Sequence, residues 1–158
     1  MRASTLVKTT GAVLVSAAVG GLASRPATSA WYERLKKPRF QPPVQVFPIV
    51  WPILYADIAL VSASMIDRLQ DRRPEQVRAY SALLTANLGM NASWTWLFFT
   101  RRQLGASAVT AAALTVTGAD LTRRAVSARG SSAAVLGLYP LWCAFATVLS
   151  IRIWQLNR

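Results

Sequence analysis

Long runs of residues without a charged side chain restrict this chain's fold more than any other feature. They extend from about Thr9 to Ser24, from Val44 to Ile66 with only Asp57 interrupting, from Ala79 to Thr100, from Leu104 to Asp120 and from Ser132 to Ile151. Each approaches the roughly 20 residues that an α-helix needs to cross a bilayer core. The runs are too long for ordinary strands, and barrel strands would alternate polar and apolar residues, so helices are predicted. The expectation is all-α: an integral membrane bundle of five transmembrane helices forming one domain over residues 1–158, a length with no room for a second domain.

The charge balance agrees once its distribution is considered. The net charge is +12, yet 53% of the residues are hydrophobic and the mean hydropathy is +0.32. The cations collect between the uncharged runs, as they do in a chain whose surroundings alternate between lipid and water. A nucleic-acid binder would spread them over its surface, so membrane lipid is the expected partner and nucleic acid is not. Because the cations divide evenly between the two sides, the positive-inside rule leaves the orientation open. Arg2 and Lys8, an apolar stretch and the small residues Gly21–Ser24 also fit a secretory leader, the alternative to a first span. The only cysteine, Cys143, permits no intramolecular disulfide, and histidine is absent. Imidazole-based acid–base, metal and haem-ligation schemes are thereby removed, and no metal site is expected.

Between the first two runs lies WYERLKKPRFQPPVQVFPIVWPILY, residues Trp31–Tyr55. Pro38, Pro42, Pro43 and Pro48 each remove a backbone donor and fix φ, which predicts a Pro-rich ordered loop between helices 1 and 2. Lys36, Lys37 and Arg39 belong at the headgroup level, with Trp31, Tyr32 and Trp51 as interface anchors. Trp96 and Trp154 also fit that anchoring role.

Inside the spans, helical spacing groups the aromatic residues. Trp51 and Tyr55 are one turn apart; Asn91, Trp94 and Phe98 follow i, i+3, i+7; Trp142 and Ala146 share a face. Three such faces meeting inside a bundle would line a flat apolar slot with a few amide donors. Asp57 stands several turns into a span, where a carboxylate is expensive and faces a partner helix or a watery cavity, or is protonated. Asp120 has Arg123 and Arg124 at pairing distance along the helix. Ala82 and Ala86, with Gly89 and Ser93 nearby, have the small-xxx-small spacing that admits a close helix neighbour, within one subunit or between two.

These residues resemble the TspO/MBR family, the tryptophan-rich sensory proteins. The first-loop motif appears as Trp31, Tyr32, Leu35, Lys37, Pro38, Pro42, Pro43, Phe47, Val50, Trp51, Leu54 and Tyr55. A third-helix motif is matched by Asn87, Leu88, Asn91, Trp94, Phe98 and Phe99, and a fifth-helix motif by Tyr139, Trp142, Phe145, Ala146, Thr147 and Leu149. Asn87 replaces a usual glutamine, Phe40 a frequent tryptophan and Ser150 a common asparagine, and the usual Pro-Tyr reads Leu138-Tyr139-Pro140. Ile151 takes the place of the tyrosine in the cholesterol-recognition segment of animal members, which argues against sterol binding through that motif.

The resemblance implies a helix at the first run and a protein that binds protoporphyrin, haem or related tetrapyrroles, acting as sensor, scavenger or carrier in porphyrin homeostasis. The implied ligand site comprises Tyr32, Trp51, Tyr55, Asn87, Asn91, Trp94, Phe98, Trp142, Phe145 and Ala146. Porphyrins are flat and carry propionates, so stacking on Trp51 and Trp142 would hold the ring while Lys36, Lys37 or Arg39 paired the carboxylates. Lacking histidine, the chain would hold the ring by packing, with no cofactor required beyond the porphyrin as ligand. An enzymatic alternative, photo-oxidative porphyrin degradation, gives Trp51 or Trp142 an active role. A small proton-coupled exporter using Asp57 is a third reading. The third-helix segment with Ala82 and Ala86 resembles the family's dimer contact and implies a homodimer.

Overall fold

The computed structural model describes residues 1–24 and 29–158, apart from the side chains of Arg129, Ser131, Ser132 and Ala134. Its five long helices are α1 (Ala3–Ser24), α3 (Phe47–Arg72), α4 (Pro74–Thr95), α5 (Leu104–Arg129) and α6 (Leu138–Leu156), with the short α2 (Ala30–Arg34) in the first connection. A 3-10 turn, Val44–Val46, leads into α3; a π-helical turn, Trp96–Thr100, extends α4; a 3-10 stretch, Ser131–Gly137, precedes α6. The first connection therefore contains helical pieces at Ala30–Arg34 and Val44–Val46 where the prolines predict loop throughout.

Four described segments, Ala3–Ser24, Val44–Arg72, Leu104–Ala128 and Val135–Leu156, are long and apolar enough to cross a bilayer. The remaining long helix, α4, matches them in length but carries Glu75, Gln76, Arg78, Asn87 and Asn91. The observed helices also run past the charges that delimit the uncharged runs: α3 continues beyond Ile66 to Arg72, and α5 beyond Asp120 to Arg129. Charged side chains at a helix end reach interfacial water, and backbone bonding continues regardless. Asp120 accepts from Arg123 at 2.5 Å and from Arg124 at 2.8 Å, satisfying its carboxylate locally.

Polarity is distributed inside out. Val7, Leu14, Val15 and Leu22 on α1, Ile49, Ile53 and Leu60 on α3, Val109 and Val116 on α5, and Leu141 and Val148 on α6 are all exposed. Thr9, Ser16, Ser62, Asn87, Asn91, Ser107 and Ser150 are buried. Water would penalise that outer face; lipid does not, and it requires every buried polar group to find a partner. Many hydroxyls bond the carbonyl one turn back, as Thr115 does with Ala111 and Thr117 with Ala113. The chain is a multi-pass integral membrane protein with an all-α bundle.

The helices form a ring in the order α3, α1, α4, α5, α6, with α5 and α6 sharing the most extensive contact and α3 meeting α6 only slightly. Close approach of α5 to α6 depends on Gly118, where a Cβ would come within 3.1 Å of the buried Tyr139 ring. On α3, Leu54, Ile58, Val61, Met65 and Leu69 make an apolar inner face. The inner face of α4 instead carries Asn87 and Asn91, which are 0% and 3% exposed.

These two amides organise a chain of hydrogen bonds across four helices. The Tyr55 hydroxyl donates to Asn91 Oδ1 at 2.8 Å, and Asn91 Nδ2 donates to the Tyr139 hydroxyl at 3.2 Å. Tyr139 in turn donates to Asn87 Oδ1 at 2.7 Å, and Asn87 Nδ2 donates to Thr117 Oγ1 at 2.7 Å. The chain ends at the Ala113 carbonyl, which accepts from Thr117 at 2.8 Å. The remaining long helix, α1, is tied in separately: Thr9 Oγ1 donates to the Ala59 carbonyl at 3.1 Å and Ser16 Oγ to that of Leu88 at 2.8 Å.

Replacing Tyr139 by Phe keeps the ring and strands two buried amide groups. It is expected to lower stability by about 1–2 kcal/mol, measured as thermal unfolding of the detergent-solubilised protein. An unchanged unfolding temperature would show that the network contributes nothing to the bundle.

Candidate ligand site

A cavity of about 780 Å³ lies at the end of the bundle where α3 begins and α4 and α6 finish. That volume falls within the roughly 300–1,000 Å³ of small-molecule sites. One wall is Trp51 and Tyr55 of α3; another is Trp94, Phe98 and Phe99 from the end of α4; α6 contributes Leu149, Ser150 and Ile153. Thr10, Val13, Leu14, Ala17 and Ser24 of α1 also line it, and Tyr32 contributes from α2. Leu14, Pro52 and Ala56 line the cavity and are also exposed, so it opens towards the outside of the bundle between α1 and α3.

Local backbone chemistry explains why a cavity forms there. Pro52 lies inside α3 and removes the hydrogen bond that would reach the Pro48 carbonyl, weakening the helix beside the opening. On the opposite wall, the π-helical turn replaces the ordinary ladder, with the Arg101 N–H donating to the Trp96 carbonyl at 2.8 Å. A π turn winds more slowly than an α turn and is common at functional sites. Here Phe98 and Phe99 both reach the Tyr32 ring, at centroid separations of 6.4 and 5.6 Å. Trp94 stacks on Phe98 at 5.4 Å with 25° between planes, and Trp51 lies 5.4 Å from Tyr55.

Polar groups at the cavity are few. Gln41 Nε2 donates to the Tyr32 hydroxyl at 3.2 Å, which leaves that hydroxyl's own proton available. Burial pushes the Tyr32 pKa above the usual phenol value, with the Gln41 hydrogen bond opposing, so the group remains a donor at neutral pH. Trp94 Nε1 is buried without a hydrogen-bond partner among the described residues. Such an indole N–H costs free energy unless something accepts from it.

The first connection is fastened to the end of α6 at one point and braced within itself at another. Lys36 and Asn157 bond reciprocally, the Lys36 N–H to Asn157 Oδ1 at 3.0 Å and Asn157 Nδ2 to the Lys36 carbonyl at 2.9 Å. The Lys37 ammonium donates to the carbonyls of Tyr32 at 2.5 Å, Glu33 at 3.2 Å and Leu35 at 3.3 Å, and sits 4.5 Å from the Tyr32 ring centroid. Lys37 thereby closes the end of α2, adding to the bond that the Leu35 N–H makes to the Tyr32 carbonyl at 3.3 Å. Lys36 and Arg39 are exposed, and none of the three cations lines the cavity.

Of the residues singled out from sequence, Tyr32, Trp51, Tyr55, Trp94 and Phe98 meet at the cavity. Asn87 and Asn91 lie in the interhelical network behind it. Trp142, Phe145 and Ala146 lie outside the lining: Trp142 packs against Phe47 at 5.9 Å and Phe145 at 5.5 Å, and Phe145 meets Phe40 at 6.3 Å. Trp31 packs on Phe98 at 6.2 Å, and the Trp96 indole donates to the Val19 carbonyl at 3.2 Å, so both have partners in the fold beyond any role at the membrane surface. Asp57 also lies outside the lining, half-buried and without a hydrogen bond or ion pair among the described residues. The α1 wall carries no aromatic or amide residue, so only the packing of α1 against α3 and α4 reveals it.

Residues 9–155 match the TspO/MBR family. The chain is 33% identical over 131 residues to the translocator protein of Ovis aries, covering 81% of this chain and 75% of that one. It is 29% identical over 132 residues to the tryptophan-rich protein TspO of Bacillus cereus, with 84% of each chain covered. With the tryptophan-rich sensory protein of Cereibacter sphaeroides it shares 31% identity over 128 residues, 80% of this chain and 77% of the other. The match spans all five long helices and the connection that covers the cavity, and the chain belongs to the TspO/MBR family.

Proposed function

We propose that this protein binds a tetrapyrrole, protoporphyrin or haem, in the aromatic cavity and acts as a sensor, scavenger or carrier in porphyrin homeostasis. The observation that carries this reading is the cavity itself: about 780 Å³, flanked by Trp51 and Tyr55 on one side and Trp94 and Phe98 on the other. Ring faces suit a flat macrocycle, and the Tyr32 hydroxyl and Trp94 indole supply donors for its polar groups. With no histidine in the chain, packing would hold the ring. Lys37 is engaged by backbone carbonyls, so propionate pairing falls to Lys36 and Arg39 at the rim.

Trp51→Ala is expected to weaken protoporphyrin binding by about 1–3 kcal/mol in fluorescence-quenching titrations, and Trp142→Ala to weaken it much less. The reverse order would move the ligand to the cluster formed by Phe47, Trp142 and Phe145.

A degradative reading is supported by the same geometry, because Trp51 lines the cavity and lies against Tyr55, a group able to supply an electron. Under illumination in air, the bound porphyrin spectrum would then give way to a new tetrapyrrole product, and Trp51→Phe would abolish this while retaining ligand. A stable spectrum in the light would leave binding alone.

All five long helices are taken to span the membrane, α4 included, because its polar residues Asn87 and Asn91 point their bonds inward. The outer face of α4 supports a homodimer: Ala82 and Ala86 are exposed, and the space where Gly89 would carry a Cβ is empty. Small residues there let a second α4 approach closely. Ala82→Leu/Ala86→Leu should convert a dimer to monomer in light-scattering measurements on the detergent-solubilised protein. An unaltered mass would exclude this face as the contact.

A further inference from the structure

At the opposite end of the bundle a second cavity, about 490 Å³, lies where α3 ends, α4 begins and α5 nears its last turn. Its wall is built from Arg68 and Arg72 of α3, Arg73 at the α3–α4 junction, and Arg123 and Arg124 of α5, and among the described residues no carboxylate lines it. Of the nearby acids, Glu75 in the first turn of α4 is exposed and lies outside the lining, and the others are engaged elsewhere. Asp67 accepts from the Arg2 backbone N–H, and Asp71 pairs with the Arg2 guanidinium at 2.5 Å. Asp120 is shared between Arg123 and Arg124, so one carboxylate faces two cations. The side chains of Arg72 and Arg73 have no hydrogen-bond or ion-pair partner among the described residues, while the Arg68 guanidinium reaches the Ala128 carbonyl at 3.4 Å.

Like charges gathered around one concavity repel one another, so the cluster gains from an anion that the lining does not supply. The negative ends of the α3 and α5 dipoles favour cations here without any ligand, but they leave the planar guanidinium forks of Arg72 and Arg73 unused. α4 begins at the same place with Pro74 and no side-chain cap; its positive end is partly met by Glu75 in the first turn, so the arginines supply most of the attraction for an anion. Met65 and Leu69, both buried in the core, form the apolar floor of the cavity beneath the cations.

We propose that this basic cavity is a binding site for a phosphate group, held by the guanidiniums of Arg68, Arg72 and Arg73 with Arg124 opposite. Arginine forks match phosphate oxygens in pairs, and their depth at the end of a membrane bundle coincides with lipid headgroups. The phosphate reaches the site either on an anionic phospholipid, whose acyl chains would stay outside the bundle, or as a free polyphosphate from the aqueous phase.

The test compares the full-length wild type with Arg68→Gln/Arg72→Gln/Arg73→Gln and with a control that removes equal charge at the other end, Arg34→Gln/Arg101→Gln/Arg152→Gln. Native mass spectrometry reads retention of phosphatidylglycerol against phosphatidylcholine. Thermal unfolding in a neutral, phosphate-free detergent reads the effect of inorganic pyrophosphate. Selective retention of phosphatidylglycerol that falls at least fivefold in the cavity variant and not in the control identifies the lipid as the source. A pyrophosphate-induced rise in unfolding temperature that disappears only in the cavity variant identifies the free anion. Equal losses in the cavity and control variants, or no cavity-dependent effect of either probe, overturn the site. Should the triple variant fail to fold, Arg72→Gln/Arg73→Gln carries the same comparison, because neither side chain makes a bond that folding would lose.

Discussion

The hydrogen-bond chain from Tyr55 through Asn91, Tyr139 and Asn87 to Thr117 is what the bundle turns on, since it joins α3, α4, α6 and α5 through largely buried side chains. In lipid the apolar faces of helices gain little by leaving their surroundings, because acyl chains are as apolar as leucine. Directional bonds and close packing must then select one arrangement. Each donor in this chain faces an acceptor, so rotating α4 or α6 about its own axis would leave several amide and hydroxyl groups unsatisfied together. Gly118 is part of the same constraint: the absence of its side chain lets α5 lie against the Tyr139 ring and holds that hydroxyl where both asparagines reach it.

The division of labour between the two ends follows from that central girdle. On one side of it a cavity is bordered by the prolines of α3 and the π turn after α4, and aromatic rings surround it. On the other side they end among arginines. Tyr55 belongs to both systems, since its ring meets Trp51 at the cavity while its hydroxyl begins the girdle. A ligand of the proposed kind, pressing on the Trp51–Tyr55 wall, would act on a residue bonded into the helix packing.

Much of this was legible in the uncharged runs, since charge in a bilayer core is costly enough that its absence marks helices without reference to tertiary contacts. Helix ends were less legible: α3 and α5 extend beyond Ile66 and Asp120 because arginines near a membrane surface can reach water and permit the backbone to continue. The spacing of Asn91, Trp94 and Phe98 placed them on one face, yet their roles differ. Trp94 and Phe98 meet the cavity, whereas Asn91 turns to Tyr55 and Tyr139. Periodicity reports a face and cannot distinguish which neighbour lies at each level of it.

Trp142 illustrates the same limit, for its face along α6 is plain from spacing while its contact with Phe47 depends on where α3 starts after the proline-rich segment. Lys37 likewise reads as a rim cation until the carbonyls of α2 are seen to occupy it. The amino-acid sequence by itself determined that this chain enters a membrane as helices and carries aromatic, amide and basic groups at particular heights, because burial of charge and backbone bonding act locally. Tertiary structure alone decided which of those groups share a cavity, which tie helices together and how α1 closes one wall, because those outcomes depend on the rotation and separation of helices far apart along the chain.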